Sequence, residues 1–173
     1  KFKVIPICGD AEQVSVIPRV PGGPPTILHL GTMFWPPNIQ GVLWFAGQVL
    51  PLVHRQVPEA RLVIAGKNPP PEVGALAADP RIEVTGYVPD PTAYLAATDA
   101  FIVPLHAGGG MRVKIVDAWL RGLPIVSTPV GAEGIESRNS ENILIASTPE
   151  AFADATVRLL TDPALNACLR ANG

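Results

Sequence analysis

Five short runs rich in apolar and β-branched residues, at 26–30, 61–65, 82–85, 100–103 and 124–127, run without regular polar alternation. A strand with one wet face alternates with period two, so unalternating runs belong to a sheet covered on both faces. Longer stretches with helical spacing separate them. The clearest is 39–57, where Val42, Leu43, Phe45, Ala46, Val49, Leu50 and Val53 recur on one side. Asn38 stands where it can cap that helix, and Pro51 is expected to kink it. Further helices are expected at 91–97, 113–121, 149–160 and 163–171. Regular alternation of strand and helix gives α/β architecture with a doubly wound parallel sheet, because parallel neighbours need crossovers.

At 173 residues, 47% of them hydrophobic, the chain is long enough to bury one core. Residues 1–25 contain a short apolar run, a polar passage and Pro21-Gly22-Gly23-Pro24-Pro25. They read as a hinge or linker and domain edge, leaving 26–173 as the globular domain. Thirteen basic and 15 acidic residues are mixed along the chain for a net charge of −2. That leaves no basic stripe for a nucleic acid, and no nucleic-acid partner is expected. Cys8 and Cys168 lie at opposite ends without metal-ligand spacing, so neither a disulfide framework nor a metal site is expected. No signal-peptide pattern or membrane-length apolar run occurs, which predicts a soluble, cytoplasmic protein.

In such a sheet ligands bind at the carboxyl ends of the strands. Attention falls on the loops 31–38, 66–71, 86–90 and 106–111. The strongest signal is Val103-Pro104-Leu105-His106-Ala107-Gly108-Gly109-Gly110-Met111-Arg112-Val113-Lys114, a strand running through three glycines into a helix. Glycines let backbone approach an anion, and the first amides of the helix point at it. The same turn also serves as a plain tight connection. Neither a Gly-x-Gly-x-x-Gly turn after the first strand nor a P-loop is present.

Arg112 and Lys114 stand at the helix start, where a cation is disfavoured unless an anion binds nearby, and so point to a diphosphate. Lys114 has a second reading, an ion pair with Asp117 three residues on. Asp117 is either an acceptor for two ribose hydroxyls or a salt-bridged acid. His106 is either a donor-sugar contact or a loop residue with a backbone partner. Trp44, Phe45 and Trp119 sit at helical spacing suited to core packing, whereas Trp35, in a proline-flanked loop, is placed to face a ligand.

Taken in order, these segments resemble the C-terminal, donor-binding domain of the group 1, or family 4, retaining glycosyltransferases, Rossmann-like and half of a GT-B fold. Val4-Ile5-Pro6-Ile7-Cys8-Gly9-Asp10 is similar to the family's hinge segment. Leu28-His29-Leu30-Gly31, Leu62-Val63-Ile64-Ala65-Gly66 and Ile82-Glu83-Val84-Thr85-Gly86-Tyr87-Val88 resemble its first three strands with their glycines. The run 114–128 resembles its Leu-Glu-Ala-Met-Ala-x-Gly-x-Pro-Val-Val-Ala-Thr segment. The resemblance implies a nucleoside-diphosphate sugar as substrate, with no metal and no other cofactor. Its base would lie against the loop from Gly86 to Asp90, with Tyr87 and Val88, its ribose on Asp117, and its diphosphate on the amides of the glycine loop, Gly108, Gly109, Gly110 and Met111; Gly31, Arg112 and Lys114 complete the expected donor-binding residues. The acceptor hydroxyl would bind an N-terminal domain of the same protein, joined through the hinge, so the chain is expected to be inactive alone. A place in polysaccharide biosynthesis at the inner membrane face, with peripheral membrane association of the full-length protein, follows from the same resemblance.

Three features depart from the family pattern. Its first acid, separated from its second by seven intervening residues, falls on Gly109 or Gly108; the second acid is Asp117 rather than Glu; and its usual basic pair falls on Thr32 and Pro37. Arg112 and Lys114 are expected to replace that pair. A branch of the family has a similar Gly-x-Met-x-Trp-x-Pro-Asn first loop and Gly-Gly-Gly-x-Arg-x-Lys donor loop. The alternatives are a non-catalytic nucleotide-sugar-binding or scaffold module that has lost the first acid, and an epimerase of related architecture.

Overall fold

The computed structural model describes residues 14–20, 22–109 and 113–173. The hinge reading at residues 4–10 and the loop residues Gly110, Met111 and Arg112 lie outside the described residues. Six parallel strands form one sheet in the order β3-β2-β1-β4-β5-β6. The strands are β1 (Thr26–Leu30), β2 (Arg61–Ala65), β3 (Ile82–Gly86), β4 (Ala100–Val103), β5 (Ile125–Ser127) and β6 (Leu144–Ile145). The first five fall within one residue of the runs read from sequence.

Adjacent strand residues face opposite ways, and both faces are buried. Ile27, Leu62, Ile64, Ile102 and Val126 meet one helical layer, while Leu28, Val63, Phe101, Val103 and Ile125 meet the other. The first layer contains α1 (Pro36–Trp44), α2 (Leu50–Gln56), α3 (Pro71–Gly74), α6 (Pro149–Thr161) and α7 (Pro163–Asn172), with Phe45, Val53, Phe152 and Leu169 at its centre. The second contains α4 (Thr92–Ala97) and α5 (Val113–Leu120), through Leu95, Ile115 and Ala118. The doubly wound parallel sheet expected from the unalternating runs is therefore the fold.

Two expectations at the first helix need correction. The helix starts at Pro36 with Trp35 at its N-cap, so Asn38 lies inside the first turn and does not cap it. Prolines suit first-turn positions because those amides lack helical partners anyway, and Pro36 and Pro37 carry the start upstream of Asn38. Pro51, in turn, produces a π-helical turn at Phe45–Val49 rather than a simple kink. Lacking an N–H, Pro51 cannot donate to the Gly47 carbonyl, and the ladder widens one turn earlier, where the Leu50 amide reaches back to Phe45 O. Strand β6, α3 and a 3-10 turn at Ala75–Ala78 were not anticipated.

Residues 14–20 run alongside α4 and α5: the Ile17 amide donates to Arg121 O at 3.1 Å and the Val20 amide to Ala96 O at 2.9 Å. Arg19 pairs with Asp99 at 2.6 Å, and Asp99 also accepts from the Thr26 amide. Arg170 of α7 donates to Asn166 Oδ1 and Gly122 O, and burial lowers its pKa. These polar pins lie where β1 and β4 begin. Buried groups there are paired, as an interior requires. Among the described residues no helix is long and apolar enough to cross a membrane.

Candidate functional site

Sheet register builds the site from backbone. Leu30 pairs with Ala65, and Ala65 with Gly86, which brings the ends of β1, β2 and β3 level. The Gly31 amide donates to Ala65 O at 3.0 Å, the Gly66 amide to Gly86 O at 2.9 Å, and the Met33 amide to Lys67 O at 2.8 Å. A Cβ at Gly66 would lie 1.7 Å from the Gly31 carbonyl oxygen, so the first two loops nest only because residue 66 is glycine. The result is a shelf of bare backbone. Above it opens a cavity of about 300 Å³ lined by Leu30, Gly31, Thr32, Gly66, Lys67, Tyr87 and Val88. Tyr87 is 61% exposed, an unusual state for a large aromatic, and the Lys67 ammonium lies 4.2 Å from its ring centroid.

From the other side of the β1–β4 crevice, α5 adds a cation. Lys114 Nζ donates to Asn38 Oδ1 at 2.9 Å, and Asn38 Nδ2 donates to Thr32 O at 2.9 Å. The ammonium and the Asn38 amide sit directly on Gly31, where a Cβ would meet them at 2.7 and 2.8 Å. Beneath, His29 is wholly buried. Its Nδ1 lies 3.2 Å from Ile102 O, a contact that a protonated Nδ1 makes as donor, while Nε2 has no hydrogen-bond partner. Burial first, and the nearby Lys114 charge second, hold its pKa well below the usual histidine value, so the ring is neutral.

The glycine loop is launched from a pinned base. Thr128 Oγ1 donates to Leu105 O and accepts from the Gly131 amide, tying the exit of β4 to the turn after β5. Helix α1 presses on the same stretch: a Cβ on Gly41 would stand 2.4 Å from Pro104 O. His106 is exposed on this rim, its ring edge-on to Trp44 with centroids 4.4 Å apart. Gly108 and Gly109 are exposed beyond it. Asp117, 41% exposed, takes Arg121 Nε on Oδ2 at 3.0 Å. Trp35 is half-buried against the apolar cluster of the α5 face, and Trp119 Nε1 donates to Asn142 O.

The structure thus gathers Gly31, Tyr87 and Val88 around one cavity, hydrogen-bonds Gly86 to Gly66 of its lining, and brings the Lys114 ammonium against Gly31. Asn38, His29 and Lys67 were not singled out as site residues from sequence. For Lys67 a signal existed, since it follows a strand-ending glycine just as Tyr87 follows Gly86.

A family model described as glycosyl transferases group 1 matches residues 24–162. An uncharacterized 44.6 kDa protein in the cps region of Klebsiella pneumoniae is 31% identical over 141 residues, 73% of this chain and 35% of that protein. Sucrose-phosphate synthase from Thermosynechococcus elongatus superposes with a TM-score of 0.74 at 21% identity, over 98% of this chain and 46% of that one. The C-terminal domain of a group 1 glycosyl transferase, LpcC, from Francisella tularensis gives 0.69 at 16% identity, over 95% and 93%. Anabaena HepE, solved in complex with UDP and glucose, gives 0.66 at 16% identity, over 87% and 42%. The chain therefore spans about a third of the curated relative's length, and it belongs to the group 1 glycosyltransferase family.

Proposed function

We propose that this chain is the donor half of a retaining glycosyltransferase, holding a nucleoside-diphosphate sugar along the carboxyl edge of its sheet. The observation that carries the reading is the Lys114 ammonium lying on Gly31. The family's usual basic pair is absent from the first loop, and Lys114 of α5 brings an ammonium against Gly31 of that loop. An anion there meets a side-chain charge on a glycine shelf that backbone can approach closely. The base lies in the cavity against Tyr87 and Val88, the diphosphate between Gly31 and the loop 108–112, and the ribose at Asp117. Solved HepE contains UDP, which makes UDP the first nucleotide to test here. The acceptor and the groups that complete transfer belong to a second domain, and closure of the two excludes water from the activated sugar.

The second reading is a non-catalytic nucleotide-sugar-binding or scaffold module that has lost the first family acid, whose place Gly109 or Gly108 takes, while the second acid, Asp117, is engaged by Arg121. Calorimetric titration with UDP, GDP, ADP and their sugar conjugates, with and without divalent metal, tests the donor reading. One diphosphate should bind without metal, and Lys114→Ala or Arg112→Ala should weaken it. Failure of every nucleotide to bind both the chain and the full-length protein overturns the reading.

A further inference from the structure

The mouth of the cavity carries a cation resting on an aromatic ring. Lys67 and Tyr87 both line the cavity, with the ammonium 4.2 Å from the ring centroid. The backbone of Lys67 is held, because its carbonyl accepts the Met33 amide and the next residue, Asn68, turns through a left-handed conformation at φ 56°. A flexible four-carbon stem then lets the ammonium alone swing about that anchor.

We infer that Lys67 selects the nucleobase, favouring one with an exocyclic ring carbonyl, uracil or guanine, over adenine. This inference rests on the donor reading above. Every base has a π face, so Tyr87 stacks them all alike. A base that takes the exposed ring displaces the ammonium towards the base's edge. An ammonium has three donors and no acceptor, so the edge it meets must supply a lone pair. The exocyclic oxygens of uracil and guanine do so, and the bond is charge-assisted. Adenine carries an amino donor in the corresponding place. Tyr87 therefore sets affinity for nucleotides in general, and Lys67 sorts among them.

The test is titration of the chain with UDP, GDP and ADP in four forms: unmodified, Lys67→Met, Lys67→Arg and Tyr87→Ala. The unmodified chain should bind UDP or GDP on the order of tenfold more tightly than ADP, as one charge-assisted hydrogen bond allows. Lys67→Met keeps the stem and should bring the nucleotides within about threefold of one another, with ADP nearly unchanged. Lys67→Arg should restore the preference, and Tyr87→Ala should weaken all three by a common factor. Lys67 is exposed, so Lys67→Met should leave the unfolding midpoint unchanged. A preference for ADP in the unmodified chain, or a ratio that Lys67→Met does not alter, overturns the assignment while leaving the donor reading intact. No binding of any nucleotide, to the chain or to the full-length protein, overturns both.

Discussion

Lys114, on the first turn of α5, donates to the side-chain oxygen of Asn38 on α1 at 2.9 Å, across 76 positions of the chain. The bond spans the crevice between β1 and β4, where the strand order reverses direction and where ligands of open α/β sheets bind. It joins the start of α5 to α1, whose Asn38 also holds Thr32 O of the loop that begins at Gly31.

Removing either partner should have separable effects. Asn38 is 2% exposed and also satisfies Thr32 O, so Asn38→Ala should cost about 1–3 kcal/mol in urea denaturation. Lys114→Met should lower nucleotide diphosphate affinity by about tenfold or more, the size expected of one charge-assisted contact. Calorimetry on both variants at matched ionic strength checks this.

Gly66→Ala sets a Cβ against the Gly31 carbonyl, a backbone atom that no rotamer change can move. Its expected cost is about 2 kcal/mol or more, as for overpacked interiors. Gly47 lies in the π-helical turn with nothing within 4 Å of an added Cβ, so Gly47→Ala should instead stabilise by about 0.5–1 kcal/mol. Opposite shifts of the denaturation midpoint are the expected outcome.

Stability should also depend on pH through His29. The unfolded chain takes up a proton near the ordinary histidine pKa, about 6.5, while the native ring stays neutral to lower pH. The unfolded state then binds more protons, so the contribution is complete above about pH 6.5 and is lost as pH falls below it, by up to about 1.4 kcal/mol per unit. His29→Leu should flatten that slope in denaturation curves taken between pH 7.5 and 4.5. A slope that survives the substitution assigns the effect elsewhere.

Asp117 itself has two readings, ribose acceptor or ion-pair partner, which its variants separate. A half-exposed pair one helical turn apart is worth only about 0.3–0.5 kcal/mol, so Asp117→Ala and Arg121→Ala should both fold normally. On the donor reading Asp117→Ala loses nucleotide binding, while Arg121→Ala keeps it. Equal and negligible effects on binding would leave the acid as an ion-pair partner alone.

Much of the fold was legible because its signals are local. An apolar run without alternation needs only its own residues to mark a two-sided strand, and β1, β2 and β4 were found to the residue. The two residues of β6 carry no such signal. Leu144 and Ile145 extend the sheet only because β5 presents Val126 and Ser127 beside them. Asn38 was misread for a related reason. Its side-chain type suits a cap, but two preceding prolines moved the helix start and turned it inward, to meet a lysine on another helix.

The sequence by itself determined the parallel sheet and the glycines at the strand ends, since each depends on propensity or steric allowance within a few residues. Only the tertiary structure decided which side chains converge there: Lys67 on Tyr87, Lys114 on Asn38 and Gly31, His29 buried beneath them. Those contacts depend on the strand order β3-β2-β1-β4-β5-β6, which sets β1 beside β4 and so brings together residues that are distant along the chain. A hydrogen bond or a ring contact acts over a few ångströms of space, and separation in sequence does not enter its energy.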